Sequence, residues 1–312
     1  MNILITGGCG YVGSLLTQKI LGLGHHVTVI DIQWFGNHLQ PNKNLKIIRE
    51  DIRNIENIPM KGIDIIFHLA NVANDPCSDL NPKLSWEINV LGSMLLVEKA
   101  IKNHVPQFIY ASSGSVYGVK EEEKVTEELS LVPISDYNKT KMISERVFLS
   151  YKDQIALQII RPATVCGYSP RVRLDLSVNL LTMQALSNKR ITVFGGNQIR
   201  PNIHIKDLVD VYLHFLNLGV TTTGIFNAGF ENISIMDIAQ MVTEFVPAEI
   251  AVSESNDPRS YRLCSDKLLS TGFKPHYQVI DGIREIITAF QSGKITNDEN
   301  CYNIKKMQSL KL

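Results

Sequence analysis

Tyr137 and Lys141 stand four residues apart at the head of a stretch, Asp136 to Lys152, whose pattern is helical and which follows a proline-containing loop. That spacing sets both side chains on one helix face, a turn apart. An ammonium group one turn from a phenol favours the phenolate and pulls a pKa of ~10 toward the range where tyrosine exchanges protons. Tyr137 then suits general acid or base work. Ser113 lies twenty-four residues upstream in ASSGSVYG, at the end of an apolar run. Strand ends in open parallel sheets are where ligands bind, and a hydroxyl there is placed to orient a substrate hydroxyl toward Tyr137. A bare YxxxK is common and by itself marks a solvated helix face. What gives it meaning is the serine and a glycine loop near the start of the chain.

That loop, Gly7-Gly8-Cys9-Gly10-Tyr11-Val12-Gly13, follows the apolar run Asn2 to Thr6 and precedes a helical pattern from Ser14 to Leu23. Gly7 and Gly10 let the backbone turn tightly and approach a pyrophosphate, and Gly13 lets the helix pack near the strand. The helix N-terminus presents free amides and a favourable dipole to the anion. Asp31 ends the next strand eighteen residues after Gly13. A carboxylate there accepts from the adenosine ribose hydroxyls and repels a 2'-phosphate, so NAD is expected in preference to NADP. Asp51, ending the third strand, has a weaker claim as a partner for the adenine amino group.

These groups need a scaffold that brings strand ends together. Apolar runs at Asn2 to Thr6, His26 to Asp31, Leu45 to Glu50, Asp64 to Ala70, Gln107 to Ser112 and Ala156 to Arg161 are separated by helical stretches. One of these, Leu84 to Asn103, reads as a single amphipathic crossover helix. Strands spaced by helices predict an α/β fold, a Rossmann doubly wound parallel sheet. Residues 1–165 are assigned to it, with some later segments returning. After Pro162 glycine and proline become frequent and the periods mix, which predicts a smaller mixed α/β substrate-binding lobe over 166–290. Residues 291–312 are polar and read as a loosely attached tail without function.

Composition narrows the ligand. Thirty-one Lys and Arg balance thirty-one Asp and Glu in 312 residues. Such a chain carries no net field to draw in nucleic acid or an acidic membrane surface, and a small molecule is the expected partner. The opening MNILITGG is too short an apolar run for a membrane span or a signal segment and reads as a buried strand. Five scattered cysteines without a CxxC, and eight histidines without ligand spacing, predict a reduced cytoplasmic protein with no metal. Cys166 reads as a small apolar filler, and His204 as structural.

Taken in order, TGGCGYVG, Asp51-Ile52, HLAN from His68, SSGSVYG, YNKTK and RPATVCG resemble the extended short-chain dehydrogenase/reductases. Within them the chain is similar to the NAD-dependent epimerase/dehydratase group acting on nucleotide sugars, over about residues 1–290. The resemblance implies Ser113, Tyr137 and Lys141 as the catalytic set, with Lys141 also on the nicotinamide ribose. It implies Gly7, Gly10, Tyr11, Val12, Gly13, Asp31, Asp51, Ile52, Leu69, Ala70, Pro162, Tyr137 and Lys141 beside the cofactor, and Asn89 as a supporting polar residue there. On the substrate side it implies Arg200 in GGNQIRPNIHIKD, Asn179 in SVNLL and Arg259 in NDPRSYR as partners of the nucleotide-sugar diphosphate, with Arg262 as an alternative to Arg259. Arg171 and Arg173 in SPRVRLD either reach the sugar or phosphate or sit in a solvated loop. A homodimer through the helices near 84–103 and 137–152 is implied as well.

Family dehydratases carry an acidic pair after the catalytic Ser or Thr, where this chain has Gly114 and Ser115. That counts against 4,6-dehydration and leaves hydride transfer at sugar carbon 4, hence a nucleotide-sugar 4-epimerase. Thr164 and Cys166 stand where Asn and Tyr are more frequent, which leaves the sugar open. The loop SPRVRLD also resembles that of a nucleotide-linked heptose 4-dehydrogenase, the alternative activity, beside a 4-ketoreductase. A non-catalytic dinucleotide-sensing regulator is a third reading, opposed by the intact Ser113, Tyr137 and Lys141. Asp31 yields a measurable expectation: in calorimetric titration NAD binds at least about tenfold more tightly than NADP, the like-charge cost of a 2'-phosphate beside a carboxylate. Equal affinities would contradict the role given to Asp31.

Overall fold

The first strand, β1 (Asn2–Thr6), shows the layering of the molecule. Ile3 and Ile5 enter one hydrophobic core and Leu4 the other, because successive side chains leave a strand on opposite faces. The computed structural model describes residues 1–254 and 260–312. In it β2 (His26–Asp31), β3 (Leu45–Arg49), β4 (Ile65–His68), β5 (Gln107–Ala111) and β6 (Ala156–Pro162) follow in the chain. β7 (Thr164–Cys166), β8 (Arg190–Phe194) and β9 (Ile199–His204) then leave for a second lobe, and β10 (Gly224–Ala228) returns to pair with β6. The resulting seven-stranded sheet has the order β10-β6-β5-β4-β1-β2-β3 and is parallel throughout. The six runs read as strands from the sequence all form, with ends shifted by at most two residues.

Helices cover both faces, which is why the strands read as nearly continuous apolar runs. α1 (Tyr11–Gly22) lies on one face. α2 (Asp75–Leu80), α3 (Pro82–Trp86), α4 (Ser93–Lys102) and α5 (Asp136–Leu149) occupy the other side of the chain path. α6 (Ser177–Asn188) opens the second lobe, and α7 (Ile205–Leu218) comes back against α1. Leu16, Ile20, Leu208, Val211 and Phe215 join Ile3 and Ile5, whereas Leu96, Val97, Ala100 and Phe148 join Leu4. The second lobe adds β11 (Glu231–Ser234), α8 (Ile235–Phe245), β12 (Glu249–Ser253), α9 (Asp266–Leu269) and α10 (Val279–Gln291). Its sheets are β11-β9-β7 and β12-β8. Cys166 is buried in its core among Val178, Ile238 and Ile283, as a filler would be. No helix among the described residues is long and apolar enough to cross a membrane.

Two expectations change. The stretch from Leu84 to Asn103 is not one helix: a π-helical segment, Glu87–Gly92, separates α3 from α4. Asn89 lies in it, its amide taken up by Val72 N at 2.7 Å, Val72 O at 3.1 Å and Thr140 Oγ1 at 3.1 Å. A wider turn there turns a polar side chain inward to hold the loop after β4, an arrangement that periodicity does not register. The C-terminal stretch is not loose either. α11 (Asn303–Ser309) packs back on the sheet side, with Ile295, Cys301 and Met307 buried. Leu174 N donates to Cys301 O at 2.8 Å. A few well-spaced apolar residues in a polar segment suffice to dock it.

The placement of α5 rests on a buried ion pair. Glu145 accepts from Arg161 Nε at 2.9 Å and Nη2 at 2.6 Å, with both side chains almost wholly buried. Ser112 also donates to Glu145, and Arg161 Nη1 donates to Tyr117 Oη at 2.7 Å. Tyr117 in turn donates to Asn227 Oδ1 at 2.8 Å. The network ties the helix to β5, β6 and β10. Replacing Glu145 by Ala leaves a buried guanidinium unpaired, and urea unfolding should show a loss of about 3–5 kcal/mol. A loss below about 1 kcal/mol would mean that the pair carries no such weight.

Candidate active site

At the carboxyl ends of the parallel strands the two lobes enclose a cavity of about 670 Å³. Its floor is the glycine loop. Gly7 takes φ +74°, and a Cβ there would meet Ala70 N at 2.6 Å; one at Gly13 would meet Gly7 O at 2.2 Å. Those two glycines are dictated by the chain's own packing, β1 against the end of β4 and α1 against the loop. Gly10 caps α1 without a side-chain bond, and a Cβ there would meet Gly7 O alone, at 3.2 Å. Its other side is left for a ligand at the helix N-terminus. Asp31 is held at the end of β2 by Cys9 N at 2.9 Å and Gln33 N at 2.7 Å. Burial raises its carboxyl pKa, opposed by those two amides and by Arg171. A fixed carboxylate beside an open helix N-terminus fits the ribose and diphosphate of a dinucleotide.

Gly7, Gly10, Tyr11, Val12, Gly13, Asp31, Asp51, Ile52, Leu69, Ala70 and Pro162 all line this cavity. Asp51 does so while paired with Arg53 at 2.7 Å. Tyr11 turns its hydroxyl to Gly167 O at 2.7 Å, so its ring braces the second lobe. Asn89 does not line the cavity; its bonds to Val72 and Thr140 make it a brace between the loop after β4 and α5, a support to the site from outside the lining.

Ser113, Tyr137 and Lys141 meet on the adjoining wall. Ser135 caps α5, accepting from Asn138 N at 3.2 Å, and so fixes the turn that carries Tyr137. Ser113 and Ser115 hydroxyls are 2.7 Å apart, and Ser115 donates to Asn138 Oδ1 at 2.5 Å. With the Ser115 proton so used, Ser113 is the donor of the pair. Lys141 is buried, its Nζ donating to Ala111 O at 2.7 Å and lying 5.9 Å from the Tyr137 ring centre. Burial drives its pKa down to about 7, opposed by Glu145. Burial pushes Tyr137 up to about 12, although the residue as a whole is only half-buried. The charge that most opposes this rise is Arg173, with the Ser113 hydroxyl after it, not Lys141 as the spacing predicted. In the protein alone one N–H of the lysine is held by Ala111 O, and the charge of a guanidinium from another loop favours the phenolate.

Arg171, Arg173 and Arg200 line the cavity as well. Neither loop arginine is solvated: Arg171 is buried, and Arg173 pairs with Asp175 at 2.7 Å. Asn179 lies in the first turn of α6. It is fully buried outside the cavity lining, accepting from Gly167 N at 3.0 Å and donating to Arg173 O at 2.8 Å. Its amide is consumed in shaping the loop from Gly167 to Arg173. Arg259 lies outside the described residues. The sequence reading missed Trp34, Phe35, Asp75, Asn303 and Ile304, all in the lining. Trp34 and Phe35 follow Asp31 so closely that their aromatic character was a usable signal, whereas Asn303 and Ile304 sit in a polar stretch that gave none.

The family described as "NAD dependent epimerase/dehydratase family" matches residues 3–229. A UDP-glucose 4-epimerase of Lactobacillus helveticus is 26% identical over 93% of this chain and 96% of its own. A UDP-glucuronic acid decarboxylase 1 of Xenopus tropicalis is 29% identical over 93% of this chain and 72% of its own. Among solved structures, the UDP-glucuronic acid 4-epimerase of Bacillus cereus, in complex with UDP-glucuronic acid and NAD, superposes with a TM-score of 0.81 at 27% identity. That likeness covers 94% of this chain and 99% of the other. With its glycine loop, its Asp31 and its seven-stranded parallel sheet, the chain belongs to the NAD-dependent epimerase/dehydratase family of extended short-chain dehydrogenase/reductases.

Proposed function

We propose that this protein is a nucleotide-sugar 4-epimerase. The observation that carries the reading is the convergence of Ser113, Tyr137 and Lys141 on the cavity that also holds the glycine loop and Asp31, with Gly114 and Ser115 where a dehydratase has its acids. Bound NAD supplies a reversible hydride acceptor for sugar carbon 4. Tyr137 takes the proton of the 4-hydroxyl and later returns it. Ser113 turns its proton from Ser115 to that oxygen and holds it in line. A phenol at about 12 is a weak base source at neutral pH, so the positive charges of Arg173 and protonated Lys141 must carry the cost of ionising it. Glu145 favours the protonated lysine. Arg200, and Arg259 from the sequence resemblance, are proposed to bind the diphosphate of the sugar nucleotide bidentately. Without an acid at 114 or 115, no group beside Ser113 protonates a leaving hydroxyl, which argues against 4,6-dehydration.

A second reading, a 4-dehydrogenase that releases the ketosugar, is favoured by one feature. Epimerisation requires the ketosugar to turn over in place, and one wall here is stiff: Asp175 is bonded to Arg173 at 2.7 Å, Asn74 at 3.1 Å and Asn303 N at 3.2 Å. The two readings part in one assay with UDP-, GDP- and dTDP-sugars, following sugar products and the absorbance of reduced nicotinamide together. Interconverted sugars with no net reduced nicotinamide support the epimerase. Ketosugar with an equal amount of reduced nicotinamide replaces it by the dehydrogenase, and no sugar change with any donor overturns both. Tyr137→Phe should lower turnover by about 10²- to 10⁴-fold.

Lys141 gives a pH test independent of substrate. Its pKa falls from 10.5 to about 7 on folding, so folding is penalised where the unfolded lysine is charged and the folded one resists charge. The penalty is full below about pH 7 and fades toward pH 10.5. Wild type should therefore gain stability relative to Lys141→Met as pH rises from 7 to 9 in urea unfolding. A difference that stays flat over that window would place the lysine in a solvated setting.

A further inference from the structure

The loop after β7 holds two arginines and one carboxylate. Arg173 occupies that carboxylate, Asp175. Arg171 is 3% exposed, and its guanidinium makes a single hydrogen bond among the described residues, Nη2 to Asn303 Oδ1 at 2.5 Å. Its Nε is buried with no partner. The guanidinium carbon lies 4.2 Å from the centre of the Phe35 ring, four residues past Asp31. Arg171, Phe35, Asp31 and Asn303 all face the cavity. A buried cation stacked on one side and bonded only to an amide is expensive unless an anion completes it. The neighbouring Arg173 adds to the cost, because its charge repels the first, and Asp175 offsets this only in part.

We propose that Arg171 binds the diphosphate of the dinucleotide, and that the C-terminal segment, through Asn303, is the clasp that holds the guanidinium to it. A diphosphate has two sources in this protein, the cofactor and the sugar nucleotide. Position decides between them: Arg171 stands with Asp31 and Phe35 at the glycine-loop end, and its backbone N–H donates to Ser14 Oγ in the first turn of α1 at 3.4 Å. Asn303 is anchored for the task. Its backbone N–H donates to Asp175 at 3.2 Å, and Met307 one turn on is buried in the core under the sheet. The segment that appears featureless in sequence thus closes the adenosine end of the cavity and slows the escape of the cofactor. The assignment requires NAD binding but is indifferent to which reaction follows it.

The test is calorimetric, on ligand-free protein, with NAD, ADP, adenosine and UDP as separate probes. Arg171→Met should weaken NAD and ADP by about 10- to 100-fold, the loss of a charge-assisted bidentate contact, and leave adenosine and UDP within about twofold. Arg171→Lys should fall between the two. Asn303→Ala keeps the charge but frees it, and should raise the NAD dissociation rate in stopped-flow displacement. Should Arg171→Met fail to fold, the Lys and Asn303→Ala variants carry the same comparison. Loss of UDP binding with NAD unchanged would assign Arg171 to the sugar nucleotide, and unchanged binding of every probe would assign it to the fold; either result overturns the proposal. ADP and adenosine lack the nicotinamide half that meets Tyr137 and Lys141, so their response to Arg171→Met is read whether or not the catalytic reading holds.

Discussion

The buried pair of Glu145 and Arg161 is the constraint on which the site depends. Helix α5 carries Tyr137 and Lys141, Ser112 and Ser113 follow the end of β5, and β6 ends at Arg161 and Pro162. One carboxylate bonds to Arg161 and Ser112 and lies a turn below Lys141. The register of the helix against the strand ends is thereby set from beneath. Ion pairs of this burial add little to net stability but are costly to break, which suits a part that must be placed and not merely held. The same carboxylate acts electrically, since it favours a charged Lys141 against burial.

Above that foundation the cavity is a balance of buried charges. Asp31 at one end and Arg171 and Lys141 along its length are shifted against their charged forms by burial, whereas for Arg173 the same burial is outweighed, chiefly by Asp175, and its pKa is raised. Arg173 is the least anticipated of these. Its charge opposes the rise of Tyr137, while its partner Asp175 fastens the loop from Asn74 and the backbone of Asn303. The loop after β7, the loop after β4 and the C-terminal segment are joined through a single carboxylate.

Much of this was legible in the sequence, and the limits have physical causes. Period and glycine spacing located the six strands of the first half, α1 and α5, because those features follow directly from burial on both faces of a parallel sheet. The seventh strand, β10, arrives from the second lobe and no local pattern ties Gly224–Ala228 to Gln158–Pro162. Asn89 and Asn179 look like ligand contacts in a string of letters, yet their amides are used up by backbone groups in the fold. Lys141 was expected to act on Tyr137 through helix spacing alone, but spacing does not reveal that Ala111 O takes its ammonium. The docking of residues 291–312 rests on Ile295, Cys301 and Met307, too few and too spread for a periodic signal.

The central claim is that hydride leaves carbon 4 and returns to it within one site. A nucleotide sugar deuterated at carbon 4 tests this directly, with product and recovered substrate read by mass spectrometry and NMR after partial turnover. The account predicts the epimer with deuterium kept at carbon 4 in both sugars and none released to solvent. A ketosugar with the label carried away on free nicotinamide, or an epimer that has exchanged it for solvent hydrogen, would contradict it.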